Sequence, residues 1–213
     1  MDEQRLDAGA WVAAITGDDA DAVARAVAAE PARARGFLTR DRPWGPERWM
    51  PLHLAADAGA ARVLDALLAA GVSVEPRSQA PGAPLTRGRA TPLHLAAAAG
   101  HAEAVLRLVA AGAEPDVLDA AGDRPLHLAA RAGHADAVQA LRMSDAALEA
   151  RSGRGRTPLH EAIAGGSEDA ALALLRAGAD AAALCPKEPG KRTVRERAAA
   201  AGMERLLSAL PPA

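Results

Sequence analysis

The sequence predicts an all-α fold: a solenoid of helix–turn–helix units with a capping unit at each end. Three observations carry this. A Pro-Leu-His-Leu/Glu tetrapeptide occurs four times, at Pro51–Leu54, Pro92–Leu95, Pro125–Leu128 and Pro158–Glu161. Its histidines, His53, His94, His127 and His160, lie 41, 33 and 33 residues apart, a tandem repeat with one insertion. The apolar half of the chain is mostly alanine, the strongest helix former, with one Phe and no Tyr. Units this short cannot bury an apolar face alone, so neighbours must stack.

The clearest unit, Thr91 to Arg124, justifies the elements in order. Pro92 suits the first helical position, where its missing N–H has no cost. Gly100 ends the first helix. A second helix starts at His101-Ala102-Glu103 and carries Val105, Leu106, Leu108 and Val109. Gly112 supplies a positive-φ stop. A long turn with Pro115 then leads to Arg124-Pro125. The chain divides into an N-terminal cap (about 6–35), a linker (36–48), four units (about 49–89, 90–122, 123–155 and 156–191) and a C-terminal cap (about 192–210), forming one domain over 1–213. Asp18 and Asp19 are placed to cap the second helix of the N-terminal cap. The extra eight residues fall in the long turn of the first unit, within Glu75–Pro84, a turn-forming stretch. Two readings stay open for this insertion: a recognition loop, or surface length tolerated at little cost.

A Thr-Pro-Leu-His-x-Ala motif at a 33-residue period, with Gly nine residues after the Thr, resembles the ankyrin repeat. Thr91…Gly100 and Thr157…Gly166 fit fully; Met50…Gly59 and Arg124…Gly133 fit except at the Thr. The resemblance covers about residues 49–184. It implies that the motif histidine holds its turn through hydrogen bonds in which the Thr takes part. His53 and His127, which lack that Thr, then need other partners and sit in looser turns. The third unit departs most, with Arg142 in place of Val109 and Asp145 in place of Gly112. Its second helix is expected to end early or be distorted.

Composition narrows the function classes. A net charge of −2 and a pI near 6.3 provide no overall basic field for nucleic acid. Basic residues are nearly all Arg, only Lys187 and Lys191 being lysines, and Asn is absent. That bias reads as a GC-rich, bacterial-type coding origin. Cys185 is the only cysteine, so no intrachain disulfide forms. The start lacks a secretory pattern and no apolar run approaches a bilayer span of roughly 20 residues. The expectation is a cytoplasmic monomer.

The four histidines look like a metal array, but stacked units lie roughly 10 Å apart, whereas zinc ligands share one ion at about 2 Å. They are turn hardware. His160-Glu161 does not begin a His-Glu-x-x-His motif, since position 164 is Ala. No phosphate-cradling loop and no nucleophile–base pair occurs. The expectation is therefore no enzyme, no cofactor and no metal.

The resemblance places partner binding on a concave face made by first helices and turn tips. The candidate partner-binding residues are Trp44, Trp49, Asp57, Arg87, Arg89, Asp123, Arg131, Arg154 and Arg156. One of the two tryptophans is expected buried and the other at least partly exposed. The arginines gather on this side, and arginine forks pair with carboxylates. The leading reading is a non-enzymatic scaffold that binds a partner protein with an acidic patch through its concave face and loop tips. The alternative is nucleic acid or another polyanion bound along the arginine-bearing tips.

Overall fold

The computed structural model describes residues 8–36, 38–42, 45–77, 89–185 and 193–211. Helices come in pairs. The N-terminal cap holds α1 (Ala8–Thr16) and α2 (Ala20–Ala29), followed by a 3-10 turn at Pro31–Arg35. The four units are α3 (Pro51–Ala58) with α4 (Ala61–Ala69), α5 (Pro92–Ala99) with α6 (Ala102–Ala110), α7 (Pro125–Ala132) with α8 (Ala135–Met143), and α9 (Pro158–Ala164) with α10 (Glu168–Arg176). The C-terminal cap holds α11 (Val194–Ala200) and α12 (Glu204–Ala209). First helices pack in one inner row from α1 to α11, and second helices in one outer row from α2 to α12. The all-α array matches the expectation.

The linker contributes an element of its own. It folds as an antiparallel hairpin of β1 (Leu38–Arg42) and β2 (Gly45–Trp49), paired from Leu38↔Trp49 to Arg42↔Gly45.

One continuous core runs from Trp11 to Leu210. Each unit supplies the motif Leu (Leu52, Leu93, Leu126, Leu159) and small alanines that let helix backbones approach. Fully burying one such Leu stabilises by about 1.5–3 kcal/mol. Proline stands at the first helical position of α3, α5, α7 and α9.

Adjacent units are stitched in both directions. Forward, His53 Nε2 donates to the Ala90 carbonyl (3.0 Å) and His94 Nε2 to the Asp123 carbonyl (3.2 Å), each in the turn of the next unit. Backward, His101 Nε2 donates to the Asp57 carbonyl (3.1 Å) and its ring lies over Gly59. A Cβ at Gly59 would sit 2.6 Å from His101 Nδ1, so this glycine is needed for space as well as for its φ of +67°. Ser167 Oγ repeats the backward stitch to the Arg131 carbonyl.

Carboxylates fasten the two caps. Asp19 caps α2 as expected, accepting from the Ala22 N–H at 2.9 Å. Asp18 does not cap its own helix. It adopts φ +56° and accepts instead from the Val63 N–H in the first turn of α4 (2.9 Å). Glu168 does the same for α12 through the Leu206 N–H (3.0 Å).

The third unit corrects half of an expectation. Helix α8 does not end early, keeping nine residues as α6 does. Its last turn tightens, however: the Ser144 N–H donates to the Leu141 carbonyl where the Ala111 N–H donates to that of Arg107, and Ser144 Oγ donates to the Ala140 carbonyl. The stop that follows is the same in both units. The Asp145 N–H reaches the Arg142 carbonyl (3.2 Å) and the Ala146 N–H the Leu141 carbonyl (3.1 Å). Asp145 takes the stop itself at φ +60°, a conformation Asp tolerates better than most residues. Arg142 as a whole is only half-buried, and α8 keeps its length around it.

Candidate functional site

The motif histidines are fully buried and neutral. The N–H of the residue preceding the helix donates to His Nδ1: Met50 to His53 (3.1 Å), Thr91 to His94 (3.2 Å), Arg124 to His127 (3.2 Å). Thr91 and Thr157 add a hydroxyl contact to Nδ1 of His94 and His160 at 2.9 and 2.8 Å. The turns at His53 and His127 are therefore not looser. The shared donor is a backbone N–H, which every residue there provides, and His127 Nε2 still bonds the Ala150 (2.9 Å) and Arg156 (3.1 Å) carbonyls. Burial pushes His53, His94 and His160 down to about 4, and lowers His127 as well. A neutral ring with Nδ1 accepting and Nε2 donating fits these bonds.

The inner face of the third and fourth units carries a charged cluster. Asp123 and Glu161 are buried carboxylates, at 1% and 0% exposure. Arg131, from the end of α7, bridges them: Nη2 to Asp123 Oδ2 at 2.8 Å and Nη1 to Glu161 Oε2 at 3.5 Å. Arg154, on the next turn tip, reaches Asp123 Oδ2 at 3.4 Å and Glu161 Oε1 at 3.9 Å. Arg156 lies 3.8 Å from Glu161 Oε2. Ser152 Oγ donates to Glu161 Oε1 (3.4 Å), tying the tip at 152–156 to α9. Burial and the nearby Arg156 lower the pKa of Arg197 on α11, at the edge of this group. The arginine asymmetry on this side is thus largely compensated within the molecule, three cations bracketing two anions.

Glu161 escaped the sequence reading. It stands where the other units carry Leu54, Leu95 and Leu128, so it is a charge in an apolar register, and that mismatch was the available signal. Arg131, Arg154 and Ser152 reach it from the preceding unit, up to 30 residues away, and no spacing rule points to them.

At the other end, an apolar pocket of about 420 Å³ opens between α1, the hairpin and α3. It is lined by Val12, Leu38, Trp49, Leu54 and Ala58, with Asp57 on its rim. Trp49 is buried, its ring 6.3 Å from that of His53. So Trp49 and Asp57 come together here, while Asp123, Arg131, Arg154 and Arg156 come together two units away. Arg89 joins neither group. It holds φ +55° where the later units have Gly122 and Gly155, and its carbonyl accepts from Arg77 Nη1 (3.2 Å). Trp44, Arg87 and most of the Glu75–Pro84 insertion lie outside the described residues. At its described start, Glu75 Oε1 accepts from the Glu114 N–H (2.7 Å) and Arg77 reaches the Leu118 carbonyl (2.8 Å).

Along the inner row the ends of the first helices present exposed small residues, Ala98, Ala132, Ala164 and Gly165. Among the described residues no three His, Cys, Asp or Glu side chains are grouped to hold a metal, and no helix is long and apolar enough to cross a membrane. Cys185 is buried against the Gly155 carbonyl.

A family model described as ankyrin repeats, in three copies, matches residues 10–119 and 93–184. A comparison with curated proteins finds no match.

Proposed function

Because this chain belongs to the ankyrin-repeat family, whose members generally mediate protein–protein interaction and are typically non-enzymatic, we propose that it holds a partner protein across its inner face. The site runs from the apolar pocket at Trp49 and Asp57, over the small residues Ala98 and Ala132, to the cluster around Arg131 and Arg154. One observation supports this most: the inner row is lined with small exposed side chains between an apolar pocket and a charged cluster. A partner backbone can approach closely there, with an apolar anchor at one end and a polar one at the other. The cluster is nearly neutralised, so it suits a partner presenting paired polar groups better than a purely acidic patch. The same pairing weakens the polyanion reading, since Arg131 and the tip arginines Arg154 and Arg156 already hold carboxylates.

Site-specific photo-cross-linking tests the reading. A cross-linkable residue at Ala132 or Ala164 is expected to trap the same protein from source-cell extract, and one at Glu114, on a turn away from the inner row, is expected to trap none. Trapping from Glu114 alone would overturn the inner-face assignment.

A further inference from the structure

We propose that a cleft in the outer row, between α8 and α10, docks an acidic partner segment that also carries a bulky apolar side chain. The cleft has a volume of about 340 Å³ and is walled by Val138, Met143, Ala173 and Ala177, with Arg142 and Arg176 as its charged members.

Three observations carry this. The first is placement. Three residues before the helix stop, the other units have Leu68, Val109 and Leu175; only the third has a charge there, Arg142. The second is pairing. Of the outer-row arginines, Arg107 is engaged by Asp65 and Glu103 and Arg205 by Asp169. Arg142 and Arg176 have no ion pair among the described residues, and Arg142 Nε is buried without a hydrogen-bond partner. A favourable helix dipole explains a cation in a last turn, but not a buried donor left without an acceptor. The third is apolar exposure. Met143 is 73% exposed, the most exposed large apolar side chain among the described residues, and lines this cleft.

These features select the occupant. Covering two arginines without an anion would leave buried, unpaired charge, so a stable occupant brings a carboxylate. Guanidinium forks bind carboxylates in a fixed geometry. The flexible thioether of Met143 adapts to an aliphatic or aromatic side chain laid beside it. This surface lies on the helix row opposite the inner face, so the two partners do not compete.

The test uses the full chain with methyl-labelled methionine and a short fluorescent peptide alternating glutamate and leucine. Titration is expected to shift the Met143 methyl resonance and leave those of Met50 and Met203 in place. Arg176→Glu, at an exposed position that folding does not need, is expected to weaken binding at least tenfold; the Arg142→Glu/Arg176→Glu pair is expected to abolish it. Arg154→Glu on the inner face is expected to leave it unchanged. A silent Met143 resonance at millimolar peptide, unaltered affinity in Arg176→Glu, or equal binding of a lysine–leucine peptide overturns the proposal. Loss of binding in Arg154→Glu alone also overturns it, by moving the peptide to the inner face and leaving that site's assignment intact.

Discussion

Ala98 and Arg131 occupy the same place in successive inner helices, and Val109 and Arg142 the same place in successive outer ones. The second unit keeps the repeat pattern; the third breaks it at Arg124, Arg131, Arg142 and Asp145. Yet α5 and α7, and α6 and α8, have equal lengths, and both outer helices run into the same hydrogen-bonded stop. The difference teaches that a unit's backbone is held by main-chain donors, a proline and positive-φ stops. Side chains that deviate from the pattern change the surface rather than the path of the chain. One deviation became the bridge between two buried carboxylates, and another the unpaired edge of a cleft.

The widest test compares His94 with His127. Their folded pKa values lie below the unfolded value of about 6.5, so the unfolded chain binds protons first. Stability is full above that pH and falls as the pH drops toward about 4, the folded value of His53, His94 and His160. Each unit of depression is worth about 1.4 kcal/mol, making this the largest effect. Urea midpoints at neutral and acidic pH should differ strongly, and both rings should stay neutral by NMR down to well below the unfolded pKa. A His127 that titrates normally while His94 does not would mean the third unit's turn is looser after all.

Removing the bridge comes next. Arg131→Ala strands Asp123 and Glu161 with only the longer contacts of Arg154 and Arg156. We expect a loss of about 3 kcal/mol, at the low end for a broken buried pair because Arg131 is partly exposed. Ala98→Arg, the matching change in the second unit, should stay within about 0.5 kcal/mol. Equal effects in denaturant melts would remove the distinction between the two units.

The helix stops give a smaller contrast. Gly112→Asp is expected to cost about 1–2 kcal/mol, since the backbone there sits at φ +94°, farther from the left-handed minimum than Asp145 at +60°. Asp145→Gly should gain no more than about 1 kcal/mol. Smallest of all, Arg124→Thr should add about 0.5–1 kcal/mol by supplying the hydroxyl contact that His94 has and His127 lacks. A loss instead would show that Arg124 contributes more through its bonds to Asp116 and Arg151 than the missing hydroxyl would.

Much of the fold is legible in the sequence because it is local. Pro125, Gly133 and the apolar spacing of α8 each act within one turn of helix, and the period adds the stacking. The hairpin was less legible: Arg40, Trp44 and Arg48 carry no alternating apolar face, and the segment reads only as extended. Of the site, Trp49 and Arg131 were visible as departures from the pattern, but their settings were not. Whether Arg131 faces a partner or Glu161 depends on contacts across units, which no single-unit rule contains. Asp18 is the same case at the other end, where a cap for its own helix turned out to serve α4.

The histidine stitches have a mechanical consequence. The second unit is joined forward through its motif ring, His94, and backward through His101, which opens its outer helix. Opening it alone forfeits both sets of bonds, whereas a terminal unit forfeits one. Amide protection should therefore decline toward both ends, and disassembly should advance as a front from a cap. Beside the apolar packing of each cap, Asp18 ties one to the Val63 N–H and Glu168 ties the other through the Leu206 N–H. Those two amides mark where the zipper opens.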